Sequence, residues 1–332
     1  MTNKVKKIGM IGAGWVSKHH LNAYQKLQDQ AQVVAIADPS AVARNTRVEE
    51  YGIERAYADA GEMLEQESLD AVDIISPRQF HVEHVLMAVS HNLPTMCQKP
   101  LAKDFAEAKA LVTTVGEKVR IMVHENWRWR PHYRQIHRWI NGGFIGEPLQ
   151  TSLNAFTSGL LPDSSGKLPA LTRQPMMKNL EQMLLMEVLI HHVDSLRFLL
   201  GDLELESSRM GKVCKEIAGE DNATLYMRSK SDGSVILTGN FSAHGYPPSL
   251  FDDLEIIGET GTIRLHGDEL ELIARQQQSV KVDLAADYES SYHDTIKHFL
   301  DCLSSGRQFE TWPEDNLKTM EIIDKVYGTY VS

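Results

Sequence analysis

Cysteine is scarce: three in 332 residues, Cys97, Cys214 and Cys302, with no Cys-x-x-Cys pair among them. This excludes a disulfide framework and a thiolate zinc site, and no metal is expected. A reducing, cytoplasmic setting fits. Long apolar runs are missing too. The most apolar helical stretch, 183–200, is broken by Glu187, two histidines, Asp194 and Arg197, so it cannot span a membrane. The opening Met-Thr-Asn-Lys-Val-Lys-Lys carries no apolar leader, and no secretory signal is expected. The net charge of −11 is spread along the chain rather than gathered in blocks, which argues against a nucleic-acid or anionic-membrane surface. There is no internal repeat and no low-complexity tract. What remains is an ordinary globular composition, 42% hydrophobic and 24% charged, over a length that can hold two domains.

The apolar run Lys7-Ile8-Gly9-Met10-Ile11 enters Gly12-Ala13-Gly14, and an amphipathic segment follows with His20, Ala23, Tyr24 and Leu27 at helical spacing. Strand, tight turn and helix in that order are the setting in which a Gly-x-Gly binds a dinucleotide. Gly12 can take the dihedrals of a sharp turn, and Gly14 would let a pyrophosphate approach the backbone. Ala13, Trp15 and Val16 lead into a helix whose N–H end would face the phosphates. Ser17 stands where a third glycine is usual, so an ordinary βα turn stays open as the alternative. A second strand, 33–37, ends at Asp38. Its carboxylate could accept from both ribose hydroxyls of NAD and would repel the 2′-phosphate of NADP; the competing role is a plain Asp-Pro turn.

Up to residue 124 strands and helices alternate. Strands are expected at 5–11, 32–38, 71–76, 94–98 and 119–124, with a short one near Tyr57. Helices are expected at 15–28, 40–51, 59–66, 79–91 and 103–116. Such alternation implies a parallel sheet wrapped by helices, an α/β doubly wound domain over 1–124. Beyond it the pattern changes. A helix over 131–141 precedes a strand at 149–157, a Pro- and Ser-rich loop at 159–176 and a helix over 179–200 ending at Gly201. Strands at 222–230 and 235–243 flank Ser231-Asp232-Gly233-Ser234, a hairpin signal. More strands are expected at 253–258, 261–265, 269–274 and 279–284, then helices at 289–304 and 314–328. This describes an α+β domain over 125–310 with a large, mostly antiparallel open sheet. The segment 311–332 is expected to pack back towards the first domain. The open sheet face would suit a homodimer or homotetramer.

Several groups could carry chemistry. Ser76-Pro77 and Lys99-Pro100 each end a strand of the first domain, where ligands of doubly wound folds bind. Lys99 could offset charge on a substrate oxygen, although on spacing alone a surface lysine is the better reading. Glu187, His191 and Asp194 stand at i, i+4 and i+7 of a helix, on one stripe. His191 could take a hydroxyl proton with Glu187 orienting it; polar residues on a domain-facing helix side are the plainer reading. The run Trp127-Arg128-Trp129-Arg130-Pro131-His132-Tyr133-Arg134 could stack bases, but in an acidic chain it reads better as a ligand-site edge or packing segment. Helix packing or solvent exposure accounts for His19 and His20.

Taken together these residues resemble the Gfo/Idh/MocA family of nicotinamide-dependent oxidoreductases. Ile11-Gly12-Ala13-Gly14-Trp15 is similar to its glycine turn, and Ser76-Pro77 with His81 to its Thr/Ser-Pro…His segment. Gln98-Lys99-Pro100-Leu101 resembles its Glu-Lys-Pro-Leu signature, and Asn126-Trp127-Arg128-Trp129-Arg130-Pro131 its Asn-x-Arg-Phe-x-Pro segment. Gly143-Phe144-Ile145-Gly146, Glu187-x-x-x-His191-x-x-Asp194 and Gly258-Glu259-Thr260-Gly261-Thr262 match further family patterns in order. Gln98 and Glu187 depart from the usual glutamate and aspartate. The resemblance implies catalysis by Lys99 and His191, with Glu187 aligning the histidine. It implies cofactor contacts from Gly12, Ala13, Gly14, Trp15, Val16, Asp38, Ser76, Pro77, His81, Lys99 and Arg128. Substrate contacts would come from Lys99, Arg128, Arg173, His191 and His192. The implied reaction is NAD-dependent oxidation of a sugar or polyol hydroxyl, in a branch that resembles dehydrogenases of apiose-like aldoses. An NADP(H)-dependent carbonyl reductase and a non-catalytic dinucleotide-binding regulator are the alternatives.

Overall fold

The structure, a computed structural model, describes residues 4–329; the outermost residues of the expected first and last segments lie outside that range. The first sheet is built from β1 (Lys6–Ile11), β2 (Ala31–Ala37), β3 (Arg55–Tyr57), β4 (Ala71–Ile74), β5 (Thr95–Gln98) and β6 (Ile121–His124). Its order is β3-β2-β1-β4-β5-β6, and every neighbouring pair is parallel. The connecting helices are α1 (Ser17–Lys26), α2 (Ala41–Tyr51), α3 (Ala60–Gln66), α4 (His81–Ser90) and α5 (Phe105–Val115). Three begin at side chains that suit the task. Ser40, Asp59 and Asp104 each accept from the N–H three residues on. The strand order reverses between β1 and β4, which makes the carboxyl ends of those two strands the switch point of the sheet.

The second sheet follows α6 (Pro131–Asn141). It comprises β7 (Pro148–Phe156) and, after α7 (Pro169–Arg173) and α8 (Ile190–Leu200), β8 (Leu203–Gly211), β9 (Asn222–Ser229), β10 (Ser234–Asn240), β11 (Phe251–Gly258), β12 (Thr262–His266), β13 (Glu269–Ile273) and β14 (Gln278–Lys281). The order is β14-β13-β12-β11-β7-β10-β9-β8. All pairs are antiparallel except β7 with β10. Inward positions such as Leu153, Leu225, Leu237, Leu254 and Ile263 are buried. β8 is absent from the expected strands: Leu-Glu-Leu-Glu-Ser-Ser-Arg-Met-Gly is polar, as a sheet edge is, and a register shift between Leu205 and Ser207 interrupts its alternation.

Two long helices close the chain, α9 (Leu284–Ser305) and α10 (Pro313–Thr329). Contacts group the molecule into two compact units. One holds the chain up to Trp129 with Tyr288–Met320; the other holds Arg130–Asp287 and the chain from Glu321 on. Residues 288–310, expected with the second domain, therefore group with the first. The reason is apolar: Tyr292, Ile296, Phe299 and Leu300 of α9 join Ile8, Met10, Leu21, Tyr24 and Ile36 in a single buried cluster. The buried surface outweighs the sequence distance.

Candidate active site

At the switch point Gly12 has φ +108°, and a Cβ there would lie 2.7–2.8 Å from the backbone of Ile75 and Ser76. The Ile75 N–H donates to the Ile11 carbonyl at 2.7 Å. Only glycine lets the β1 and β4 loops close on each other this way. Gly14 differs: a Cβ there would meet nothing within 4 Å, so the backbone faces open space. That opening, at the start of α1 and the carboxyl end of β1, fits a pyrophosphate. Asp38, just past β2, accepts from the Ala13 N–H at 2.8 Å through one oxygen and from the Ser40 N–H at 2.8 Å through the other. The Asp-Pro turn and the approach to the glycine loop are thus served by one carboxylate.

Ser17, in the place of a third glycine, is fully buried and donates to the Gly14 carbonyl at 2.6 Å. Its hydroxyl accepts from Arg47 Nε at 2.8 Å, while Arg47 Nη2 reaches the Gly14 carbonyl at 3.3 Å and Nη1 pairs with Glu50. Arg47 therefore braces the glycine turn from α2. Nothing in the sequence marked it, since its partners in the glycine turn lie 30 and 33 residues away.

Beyond β4, the Ser76 hydroxyl bonds His84 Nδ1 at 2.8 Å. Burial holds the His84 imidazole below its ordinary pKa, against the opposing pull of Glu83 and Asp59. Pro77 is exposed. His81, 1% exposed, ties two turns together: Nδ1 is 2.7 Å from the Pro100 carbonyl and Nε2 is 2.7 Å from the Ser76 carbonyl. Lys99, half-buried, directly follows β5 and precedes a cis peptide bond to Pro100; its backbone N–H donates to Gln98 Oε1 at 2.9 Å. Trp15 is exposed and Val16 half-buried at the start of α1.

His20 is fully buried, on the packing side of its helix, and bonds the equally buried Asp73 at 2.8 Å. Asp73, in the middle of β4, is a charge inside an apolar run, the one signal that a partner had to exist. Arg128 is 4% exposed, with Nη2 on Asp315 at 3.0 Å and Nη1 3.9 Å from Glu310. That guanidinium ties the turn Trp127–Trp129 to the start of α10. The neighbouring Arg130, His132 and Tyr133 are buried too, which removes this run as a platform for bases.

In the second unit the helix expected over 179–200 is divided. A 3₁₀ turn covers Pro175–Asn179, a π turn covers Leu185–Leu189, and α8 begins only at Ile190. Glu187 lies in the π turn and His191 one residue into α8. The wider i→i+5 winding alters the one-stripe spacing expected of a continuous α-helix. Buried Glu220 satisfies the helix start, accepting from the N–H groups of Leu185 at 3.0 Å and Met183 at 3.3 Å and from the Tyr327 hydroxyl at 2.6 Å. His191 is 8% exposed and Asp194 fully buried. His192 is fully buried, with Nε2 on Asp252 at 2.9 Å and Nδ1 at 3.4 Å from the Val188 carbonyl. Arg173 ends α7 on the surface.

A 3-2-1-4-5-6 parallel sheet with an open glycine turn at its switch point defines a dinucleotide-binding protein. Residues 6–126 match the oxidoreductase family with an NAD-binding Rossmann fold, and residues 133–264 match the GFO/IDH/MocA C-terminal domain. The chain belongs to the Gfo/Idh/MocA family of NAD-binding oxidoreductases. It is 30% identical to a D-apiose dehydrogenase of Paraburkholderia graminis, over 98% of this chain and 88% of that one. A D-apiose dehydrogenase of Rhizobium rhizogenes is also 30% identical, over 97% and 94%. Among solved structures, an oxidoreductase from Agrobacterium radiobacter, in complex with NAD+, L-tartaric acid and magnesium, superposes with a TM-score of 0.91 at 28% identity, covering 98% of this chain and 96% of that one.

Proposed function

We propose that this oxidoreductase oxidises a hydroxyl of a sugar, an apiose-like aldose first among the candidates, with NAD. The observation that carries the cofactor part is the open backbone at Gly14 beside a carboxylate at Asp38. Gly12, Ala13, Gly14, Trp15 and Val16 would hold the pyrophosphate, and Asp38 the adenosine ribose. Ser76, Pro77 and His81 would form the wall of the site beyond β4. When bound, NAD supplies the hydride acceptor. The substrate part rests on the two relatives named D-apiose dehydrogenase.

In this reading His191 takes the proton of the substrate hydroxyl, and the Lys99 ammonium donates to the same oxygen and offsets its growing negative charge. Glu187 keeps the imidazole aligned, and Arg128, Arg173 and His192 are the candidates for further substrate hydroxyls. The test is formation of the reduced coenzyme, followed by its absorbance, across aldoses, polyols and inositols with either coenzyme. Turnover with an aldose and NAD, lowered by about 10² or more in Lys99→Ala and in His191→Ala, is the expected result. Near-normal turnover in both variants overturns the assignment, and tighter binding of NADP overturns the role of Asp38.

Copies of the chain would pair through the outward face of the eight-stranded sheet. Cross-strand register sets Arg264, Glu255, Ser152, Ile236 and Tyr226 in one outward row, with Tyr226 39% exposed. Sedimentation of the parent and of Tyr226→Glu with Ile236→Glu tests it: a monomeric parent removes the proposal. All three cysteines are buried free thiols, which suits the reducing cytoplasm, and among the described residues no helix is long and apolar enough to cross a membrane.

A further inference from the structure

The residue that departs from the family signature beside Lys99 sits in a buried row of polar groups. The Lys99 backbone N–H can only donate, and it lies 2.9 Å from Gln98 Oε1. That fixes the orientation of the amide: its NH2 faces the other way, 3.3 Å from His20 Nε2 and 3.4 Å from His124 Nδ1. An amide NH2 has two protons to give and nothing with which to accept. Both ring nitrogens facing it must therefore be bare acceptors. The proton of His20 is then on Nδ1, donated to Asp73 Oδ2 at 2.8 Å. Lys99 donates to Gln98, Gln98 to His20, and His20 to Asp73. All three bonds run in one direction and end on a fully buried carboxylate, the arrangement in which each bond polarises the next.

We propose that Gln98 is a positioning residue for Lys99, holding its backbone through a relay that requires neutral acceptor imidazoles at His20 and His124. The link to turnover rests on the reading of Lys99 above; the proton placement does not. Glutamate, the residue usual in the signature, fits the same space but not the same protons. One of its oxygens would accept from Lys99, and the other would face two bare ring nitrogens. His124 could answer by moving its proton from Nε2 to Nδ1, but His20 would have to take up a second proton on Nε2 or give up its bond to Asp73. The groups around the pair are accounted for. Tyr24 of α1 faces Asp73, Tyr292 of α9 lies 5.5 Å from the His20 ring and 5.2 Å from that of His124, and the two imidazoles are 4.2 Å apart. Both phenols are pushed well above their ordinary range. Burial is the main cause in each; Asp73 adds to it at Tyr24, and Tyr288, Glu289 and Glu125 at Tyr292. Neither phenol ionises near neutral pH. The buried Cys97 thiol is likewise pushed up by burial and Asp73.

The experiment is long-range proton–nitrogen NMR of the full chain labelled with [15N]histidine. The two rings are assigned by their through-space contacts to Tyr292. The expected parent spectrum shows the His20 proton on Nδ1 and His124 bare at Nδ1. In Gln98→Glu the His124 proton moves to Nδ1, and the His20 ring becomes doubly protonated at acid pH. The kcat/KM profile of that variant then gains an ionisation the parent lacks, with activity approaching the parent below it and lost above it, while KM changes little. Gln98→Ala, which has no amide to fill either role, loses kcat at every pH. A parent His20 protonated on Nε2 overturns the proposal, as do imidazole spectra and a pH profile in Gln98→Glu that match the parent. If Lys99→Ala keeps its turnover while the tautomers are as expected, it is the reading of Lys99 that fails and the relay that stands.

Discussion

At Gly12 and Gly14 the same missing methyl group has two different meanings. A Cβ at Gly12 would strike the Ile75 and Ser76 backbone, and its φ of +108° is strained for any L side chain. Gly12→Ala should therefore destabilise the first unit by about 1–3 kcal/mol from backbone strain alone, read as a lowered urea midpoint without any coenzyme. A Cβ at Gly14 meets nothing, and its φ lies outside the left-handed range. Gly14→Ala should leave the midpoint in place and weaken NAD in a fluorescence titration. An unchanged affinity would remove Gly14 from the pyrophosphate site. The sequence made the pair legible because tight turns and close approach are demands that only glycine meets. It assigned the sharp turn to Gly12 and the phosphate approach to Gly14, but not the β4 loop that Gly12 meets, because switch-point loops come from strands far apart in sequence.

At the scale of elements, the turn between β1 and α1 is completed by α2. Arg47 reaches Ser17 and the Gly14 carbonyl at once, and its guanidinium is buried. Arg47→Met keeps most of the apolar stem and removes the donors. A lost hydrogen bond to a charged group is worth about 1.5–3 kcal/mol, so NAD affinity should fall roughly tenfold or more while the far-ultraviolet spectrum is kept. Equal affinities in Arg47→Met and the parent would show the turn to be self-supporting. The helix carrying His191 has a comparable brace. Glu220, 35 residues further on, accepts from Leu185, and Tyr327 completes it. Periodicity showed an apolar helix ending at Gly201 but not the π turn at its start. A one-residue change in winding leaves the apolar spacing almost unaltered, and the groups that satisfy its N–H ends are distant in sequence. The same holds for His20 with Asp73, 53 residues apart: the carboxylate in an apolar strand announced a partner without naming it.

For the whole molecule, the alternation of strands and helices up to 124 carried the parallel sheet, and the hairpin signals carried most of the antiparallel one. The grouping of 288–310 with the first unit was not legible, because α9 advertises an apolar stripe but not the surface it covers. The units also differ in how they meet acid and coenzyme. In the second unit burial alone would raise the Asp252 carboxyl, yet His192, Arg130 and His132 hold it well below the usual carboxylate range. Burial holds the His132 imidazole below its usual value, against the pull of Asp287. Both groups have lowered folded values, so the unfolded chain binds more protons, and both contributions are present above the unfolded pKa and lost as pH falls. The His132 part fades below about 6.5 and the Asp252 part below about 4. Asp252→Asn should flatten the lower of the two windows; stability that falls just as steeply there in the variant would place the acid sensitivity elsewhere. The first unit responds instead to ligand. A coenzyme that binds only the folded state adds about 2.7 kcal/mol at a hundred times its Kd. Melting of the full chain with increasing NAD should thus raise the transition of the first unit by several degrees. NADP at the same concentrations should raise it less, because a 2′-phosphate would meet the Asp38 carboxylate. An equal or larger rise with NADP would mean that this carboxylate, already accepting from Ala13 and Ser40, serves the loop alone.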